Sequence, residues 1–416
     1  MTERLHLFDA FGVELEYMIV DRRTLDVRAI TDNLIHAESG LIQSEFERGD
    51  ISWSNELALH VVELKTTRPA PQLTGLADLF QENIVRANEH LQAMHCRLLP
   101  SAMHPWMNPF QEMKLWPHEY NEVYEAFNRV FDCRGHGWAN LQSVHLNLPF
   151  CGDEEFGRLH AAVRLILPLL PGLAASSPVI DGKLSQLLDT RLEVYRNNSR
   201  RVPMVAGRVI PEPAFTQEDY DRQIFQPLYA QIAELDPDGV LREEFLNARG
   251  AIARFERGSI EIRVIDIQEC PAADLAVLQT TIAALKALVA EMWSTTEAQR
   301  DISVDRLYNI LLDAIRSGGR AVVADVGFLK LFGVSTKRCT ISELWQQLVE
   351  TAPPQLDART APALETILKS GPLARRIINR LNGTPTSALP KALHRLYDEL
   401  AECLASGTSF AGGYAG

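Results

Sequence analysis

The fold follows from the stretch Gly12-Val-Glu-Leu-Glu-Tyr-Met-Ile-Val20, in which charged and apolar residues alternate. In a β-strand, successive side chains point to opposite faces. Glu14 and Glu16 therefore share one face, and apolar residues take the other. An exposed edge strand would show the same alternation, but the apolar flank Met18 to Val20 favours burial. Acidic groups on one covered face repel each other unless cations neutralise them, and a polyvalent metal is the simplest such cation.

Three other strand-like stretches carry polar groups among apolar residues. They are Glu56-Leu-Ala-Leu-His-Val-Val-Glu63, Ser143-Val-His-Leu-Asn147 and Ser259-Ile-Glu-Ile-Arg263. Strand parity puts Ser143, His145 and Asn147 on one face, and it puts Glu261 beside Arg263 on another strand. Taken alone, His145 would more often be a hydrogen-bonded core histidine than a ligand. Glu261 and Arg263 could be salt-bridged surface neighbours, but apolar residues surround them. Together, however, the four stretches predict a cation and phosphate site on a sheet, with the arginine as a phosphoryl clamp.

Two features of the second stretch limit this interpretation. Glu63 could simply form a buried ion pair with Lys65, because an unpaired carboxylate in so apolar a strand would be costly. Glu56 lies seven residues before Glu63, so on one continuous strand it would point to the opposite face. It joins the cluster only if it comes from a preceding loop or bulge.

The composition indicates a globular protein and bears on its partners. The chain has 416 residues, 46% hydrophobic and 23% charged, enough for one large domain or two ordinary ones. Its formal net charge of -13 argues against duplex DNA or an anionic membrane as the main partner, because neither would gain counterion release or surface attraction. We therefore expect no nucleic acid and no membrane among its partners.

Targeting and cysteine patterns favour the cytoplasm. The N-terminus lacks a basic start followed by an apolar stretch, and the apolar segment near residues 159–180 is interrupted by Arg164, Pro168 and Pro171. The six cysteines lie far apart with no C-x-x-C pair, so neither a zinc knuckle nor a disulfide framework is indicated. We predict a cytoplasmic protein without a signal peptide or membrane span.

The patterns along the chain place strands in the first two thirds and helices in the last third. We predict strands over residues 11–20, 57–66 and 139–148, and a hairpin of 252–255 with 260–267. We predict helices over residues 76–98, 119–131, 153–170 with Asp153 as its cap, and from 272 onward. The arginine-rich residues 181–222 should form a helix and loop over the site, and the final ten residues should be a loose tail.

The order of the predicted strands and helices along the chain predicts the fold class and the domains. Long intervals separate neighbouring strands, and strict βαβ alternation is missing, so we expect an α+β fold with a curved, largely antiparallel sheet. The polar residues would line its concave face. We assign residues 1–295 to a catalytic domain and residues 296–416 to a helical extension packed on it.

Taken together, the motifs resemble the glutamate–cysteine ligase superfamily, and most closely its bacterial type 2 branch of carboxylate–amine ligases. The resemblance covers roughly residues 10–290. Besides the four quoted stretches it includes Met103-His-Pro105, Ala174-Ala-Ser-Ser-Pro178 and Gly258-Ser-Ile-Glu-Ile-Arg-Val-Ile-Asp266. Each motif alone is weak, but their order and separations are fairly specific.

The resemblance implies a fold like that of glutamine synthetase, in which a curved antiparallel sheet forms a funnel with helices outside. It implies that two or three magnesium ions are held by six residues: Glu14, Glu16, Glu56, Glu63, His145 and Glu261. It also implies that Arg263 contacts the transferred phosphate, next to Glu261. Arg191 is our first choice for a contact with the triphosphate or a substrate carboxylate. We place the amine pocket among residues 191–208 and the loop at His104.

The implied activity is that of an ATP-dependent ligase. A substrate carboxylate, with glutamate as the first expectation, attacks the γ-phosphate, and an amine captures the resulting acyl phosphate as an amide. ATP and Mg²⁺ are the expected cofactors, and a histidine ligand makes Mn²⁺ a workable substitute. A guanidino-type phosphotransferase of the same superfamily and a non-catalytic nucleotide-binding member are the alternatives. A homodimer is left open.

Overall fold

A computed structural model describes residues 4–412, and an antiparallel sheet lies at its centre. The strands in chain order are β1 (Gly12–Asp21), β2 (Glu45–Arg48), β3 (Ile51–Asn55), β4 (Val61–Thr66), β5 (Cys96–Leu99), β6 (Ser143–Pro149), β7 (Val179–Ile180), β8 (Lys183–Leu184), β9 (Ala251–Arg254), β10 (Ser259–Asp266), β11 (Val322–Val323) and β12 (Cys339–Thr340). Eight of them form the main sheet in the order β2-β3-β4-β1-β6-β10-β9, with β5 paired to β1. Every pair in it is antiparallel.

Helices surround this sheet and make up most of the last third of the chain. They are α1 (Thr31–Ser39), α2 (Leu76–Ala93), α3 (Pro109–Glu112), α4 (Asn121–Phe131), α5 (His136–Ala139), α6 (Gly152–Ile166), α7 (Pro171–Ala174), α8 (Thr190–Tyr195), α9 (Gln217–Tyr220), α10 (Gln226–Ile232), α11 (Pro271–Val289), α12 (Thr296–Arg300), α13 (Val304–Ser317), α14 (Val326–Lys330), α15 (Ile341–Thr351), α16 (Thr360–Ser370), α17 (Leu373–Leu381) and α18 (Leu389–Ser406). Short 3₁₀ turns occur at Leu167–Leu169, Glu244–Leu246 and Gly318–Arg320, and a π-helical turn at Asp221–Phe225 joins α9 to α10.

The alternation in β1 separates a core face from a polar face. Val13, Leu15, Tyr17 and Ile19 are fully buried and pack in the main apolar cluster with residues of α2, α6 and α11. Helices cover this face, so burial of apolar area fixes the register, because a slip of one residue would turn the glutamates into the core. The predicted fold class, an α+β protein with a largely antiparallel sheet and outer helices, is confirmed.

Two predicted strand boundaries are wrong. The strand expected from residue 57 begins at Val61, and β2 and β3, which precede it, were not foreseen. Residues 56–60 form the connection that reverses the chain between β3 and β4. The strand expected from Ala139 begins at Ser143, because Ala139 ends the short helix α5.

Two helix predictions are also corrected. The helix expected over residues 76–98 ends at Ala93, and residues 96–99 form β5, because pairing with the end of β1 overrides the helical periodicity. His95 makes the reversal with a positive φ of 56°. Asp153 lies inside the first turn of α6 instead of capping it, and its Oδ1 accepts a hydrogen bond from Gln217 N at 2.9 Å.

The last third is packed on the rest of the molecule. Residues from α13 to α16 belong to the main apolar cluster, and α18 contacts β5 and α2. The domain boundary at residue 295 stays a prediction. The prediction of a loose tail is wrong for residues 407–412, because Phe410 in this segment is only 1% exposed. Residues 413–416 lie outside the described part of the chain.

One helix of the described residues, α11, is long and apolar enough by itself to cross a membrane. Of its most apolar window, 89% is buried inside the protein. It packs against α2, α6, α15 and α16. Its apolar character therefore has a direct explanation as the central core helix of this fold.

Candidate active site

Sheet pairing gathers the polar stretches that lie far apart in the sequence. Glu16 lies opposite Glu63 across β1 and β4, and Glu14 lies opposite His145 across β1 and β6. Asn147 of β6 then lies opposite Glu261 of β10. The same-face parity inferred from the sequence therefore continues across four adjacent strands and makes one polar surface.

Hydrogen bonds between β1 and β6 hold the first part of this surface. His145 Nδ1 lies 2.8 Å from Glu14 Oε2, and Asn147 donates to Glu14 Oε1 at 2.9 Å. Glu16 Oε2 accepts from the backbone N of Ser143 at 2.6 Å and from its hydroxyl at 3.0 Å. These bonds fix the carboxylates on rigid strands, which reduces the cost of orienting them towards a ligand.

Glu56 and Glu63 complete two groups of candidate ligands. Glu56 follows β3 and reaches the cluster from the connection to β4. Among the described residues, one group consists of Glu14, Glu63 and His145 and the other of Glu16, Glu56 and Glu63. Within each group the donor atoms lie within 4.8 Å of one another. Carboxylates with one imidazole fit Mg²⁺ or Mn²⁺ chemically, and the shared Glu63 would suit two neighbouring cations.

Glu63 also forms the ion pair with Lys65 that the sequence suggested as an alternative to a ligand role. Lys65 Nζ lies 3.3 Å from Glu63 Oε1 and 2.8 Å from Glu45 Oε2. The hydroxyl of Ser54 donates to Glu63 at 2.7 Å. The ion-pair interpretation and the ligand interpretation therefore apply to the same carboxylate.

Burial favours the neutral form of each group in this cluster. The charges and hydrogen bonds of its neighbours then determine whether its pKa is raised or lowered. Burial, followed by the charge of Glu14, raises the pKa of Glu63 to about 7. Burial, followed by the charges of Glu16 and Glu63, raises the pKa of Glu56 well above its ordinary value. Burial lowers the pKa of His145, but its hydrogen bond to Glu14 and the charges of Glu16 and Glu14 outweigh it and raise that pKa to about 9. The metal-free cluster thus retains protons that a cation would displace.

Glu261 belongs to neither ligand group and is instead held between two arginines. Arg263 donates to Glu261 Oε1 through Nη2 at 2.7 Å and Nε at 3.1 Å, and Arg254 donates to Oε2 at 3.1 Å. Burial opposes ionisation of Glu261, but these arginines outweigh it and hold its pKa below the ordinary range. Arg254 was not foreseen, although strand parity in the predicted hairpin places it on the face of Glu261.

A bulge in β10 aims Arg263 at the polar surface. The register against β6 runs regularly up to Ile262 and resumes at Ile265, which pairs with Val144. Arg263 and Val264 therefore share the place opposite His145. Bulges of this kind bend a strand and redirect one side chain, and they are frequent beside active sites.

Arg191 lines the same cavity, but its guanidinium is committed to a buried ion pair. It is 1% exposed, and its Nε donates to Asp266 at the end of β10. A second donor, Nη2, lies 3.5 Å from the carbonyl of Arg263. The structure thus places Arg191 behind Arg263, as a support for the strand that carries it.

The polar surface forms the floor of a cavity of about 660 Å³, in the usual range for small-molecule sites. Tyr124, Trp138, Tyr195 and Asn198 contribute walls. The loop at His104, where we expected part of the amine pocket, does not line it. His104 is buried, and its Nε2 lies 2.7 Å from the carbonyl of Leu25. Sequence parity could not find the aromatic walls, because they come from helices and loops.

Comparison with known proteins identifies the family of this chain. The model of the glutamate–cysteine ligase family 2 (GCS2) matches residues 10–397. An uncharacterised protein of Archaeoglobus fulgidus is 35% identical over 308 residues, 74% of this chain and 80% of that protein. A protein of Bradyrhizobium diazoefficiens, provisionally named glutamate–cysteine ligase 2, is 26% identical over 397 residues, 92% of this chain and 82% of its own.

A solved structure shares the fold. It is the glutamate–cysteine ligase of Francisella tularensis in complex with AMP, with a TM-score of 0.56 over 96% of this chain and 90% of that chain. At 13% identity this likeness shows the fold alone. The match of the family model covers nearly all of the sheet and its helices, including every residue of the polar surface. The chain therefore belongs to the glutamate–cysteine ligase family 2.

Proposed function

We propose that the protein is an ATP-dependent ligase that joins a carboxylate, of the γ-glutamyl class, to an amine through an acyl phosphate. The observation that carries this proposal is the pairing of two candidate ligand groups around Glu63 with an arginine-bound Glu261 on the next strands. A reaction between ATP and a carboxylate brings several negative charges together. The site offers places for cations on one side and arginines on the other.

The donor set fits divalent cations. Glu14, Glu16, Glu56, Glu63 and His145 would hold them, since their oxygens and imidazole nitrogens converge in two groups. When bound, such ions neutralise the phosphate oxygens of ATP and the incoming carboxylate. Glu261 lies opposite Asn147, which donates to Glu14, and it accepts from two arginines. We therefore assign it to orienting Arg263 as well as to the edge of the metal site.

The chain's own groups would do the remaining work. Arg263 is held as a planar fork by Glu261, so its outer donors are pre-oriented for the transferring phosphoryl group. Arg191 holds the strand behind it through Asp266. No protein nucleophile is needed, because the substrate carboxylate is the nucleophile and the amine the final acceptor.

A substrate screen tests the proposal. The protein is incubated with ATP and Mg²⁺ and pairs of acids and amines, beginning with glutamate, while phosphate release and product masses are followed. We expect release of free phosphate that requires both an acid and an amine, with an amide product. Phosphate transfer to an acceptor without amide formation would instead identify a phosphotransferase. Nucleotide binding with no turnover of any pair would identify a non-catalytic member.

The small-molecule substrates and a cytoplasmic location belong to the same proposal. All six cysteines are free, which suits a reducing compartment. Sedimentation of the purified protein would distinguish a homodimer from a monomer.

A further inference from the structure

A second cavity lies away from the candidate active site, at the end of the core helix α11. Its volume is about 470 Å³, large enough for a small ligand. Residues of α11, the segment before β1, the loop before α2 and the loop after α15 form its walls, among them Phe11, Leu73, Ile282 and Pro353. It shares no lining residue with the cavity that contains Glu63. The core face of the sheet and its helices separate the two.

Two polar groups in this apolar cavity have no hydrogen-bond or ion-pair partner within the described residues. Gln279 is 4% exposed, and both its amide oxygen and its amide nitrogen lack a hydrogen bond. An unpaired buried amide is costly, and such groups are uncommon in folded proteins. The second group is the ammonium of Lys286, which lies two helical turns further along α11 and forms no ion pair in the described part of the chain.

The charge of Lys286 is held at the mouth of the cavity. Its Nζ lies 5.5 Å from the centre of the Phe8 ring and 5.7 Å from that of Phe11, within the range of cation–π attraction. The described lining contains no aspartate or glutamate. This is unusual in a chain with 54 acidic residues and a net charge of -13. The cavity therefore combines apolar walls, one unneutralised cation and one unsatisfied amide.

We propose that this cavity is a second ligand site, which binds small amphipathic monoanions with an aromatic or aliphatic body and a carboxylate. The body fills the space between Leu73, Ile282 and Pro353, and the carboxylate pairs with Lys286. A neutral ligand would leave Lys286 unpaired, and a strongly charged nucleotide would find one cation and mostly apolar walls.

The probe is 4-phenylbutyrate, and its neutral counterpart is 4-phenylbutanol. Binding to the full-length protein is measured by calorimetry and by the change in melting temperature. We expect 4-phenylbutyrate to bind and to raise the melting temperature, and the alcohol to bind more weakly. Lys286→Gln is a change at an exposed position and should weaken binding of the acid roughly tenfold, because a charge-assisted hydrogen bond is lost, while leaving the alcohol unaffected.

Three further variants distinguish binding in this cavity from non-specific binding and from binding in the candidate active site. Ala283→Phe, which fills the cavity, should abolish binding of both probes. Lys330→Gln, at an exposed lysine of α14 outside the lining, should behave as the wild type. Glu63→Gln should leave the affinity for 4-phenylbutyrate unchanged, because it alters only the other cavity. No binding at millimolar probe, equal binding by Lys286→Gln, or binding lost in Glu63→Gln would each overturn the proposal.

Discussion

The imidazole Nδ1 of His145 lies 2.8 Å from Oε2 of Glu14, on a neighbouring strand, although the two residues are 131 positions apart in the sequence. This contact lets a proton shared with the carboxylate reduce the repulsion within an acidic surface when no cation is bound. A bound cation would have to replace that proton. With a metal bound as proposed, the pair would connect metal binding, pH and stability.

The metal-free protein should lose stability as the pH rises from about 7 to 9. Folding raises the pKa of Glu63 from 4.5 to about 7 and that of His145 from 6.5 to about 9. Burial lowers the pKa of His60 and His104 to about 4 and that of His160 to about 3, so below about pH 6.5 these imidazoles bind fewer protons in the folded state and oppose the effect. Between about pH 7 and 9 they are neutral in both states, whereas Glu63 and His145 bind more protons in the folded state than in the unfolded chain, so stability falls with rising pH. Melting temperatures in EDTA from pH 7 to 9 should decrease, and Mg²⁺ should restore them most at high pH. A metal-free melting temperature that rises with pH would contradict this.

Glu16→Gln and Glu63→Gln should remove activity without unfolding the protein. Each variant loses one negative charge from a ligand group but keeps an oxygen that can accept from Ser143 or Ser54. Relief of repulsion should keep or raise the melting temperature in EDTA. The stabilisation by Mg²⁺ should shrink in both. A marked fall in the metal-free melting temperature would favour a purely structural role, the ion pair of Glu63 with Lys65.

Arg263→Ala should lower turnover by a factor of about 10² to 10⁴, which is the range for a group that stabilises charge in the transition state. Its effect on ATP affinity should be small. Glu261 keeps Arg254 as a partner, so the loss of stability should also be modest. Lysine should restore activity only in part, because it lacks the planar fork. Single-turnover acyl-phosphate formation and calorimetry of ATP binding are the measurements. Wild-type chemistry in Arg263→Ala would remove this residue from the mechanism.

Arg191→Ala should act mainly on stability. It removes the arginine from a buried ion pair with Asp266, in which both side chains are almost completely covered. Such a loss lowers the free energy of unfolding by about 3 to 5 kcal/mol. Asp266 keeps its bonds from Ser176 and Ser177. Arg208→Ala is the control, because the pair with Asp305 is exposed on both sides and should cost less than about 1 kcal/mol. Urea unfolding compares them, and equal effects would show that Arg191 is not a structural support.

Phe410→Ala should destabilise the protein by about 3 kcal/mol, as expected for an aromatic residue removed from a core. Phe410 is 1% exposed. Its backbone N donates to Glu269, and its carbonyl accepts from Arg376, so a deletion from residue 409 should cost more than the point change. Thr408→Ala, at an exposed position, should have little effect. A melting temperature unchanged by Phe410→Ala would show that the segment contributes no stability.

Alternation of polar and apolar residues predicted much of the fold and of the site. It gave the two faces of β1, the grouping of Ser143 with His145 and Asn147, and the hairpin of β9 and β10, because side chains of a strand alternate whatever the strand pairs with. The ends of the strands and helices were harder to predict from the sequence. Residues 96–99 continue a helical periodicity, yet pairing with β1 makes them a strand.

The sequence by itself determined which residues can share a face, because local backbone geometry sets that. Only the tertiary structure decided which faces meet. It brought Glu56 in from a loop, placed the bulge of β10 opposite His145, and committed Arg191 to Asp266. These outcomes depend on register and chain reversal between strands far apart in sequence, which are set by burial of the apolar face against helices and not by any local pattern.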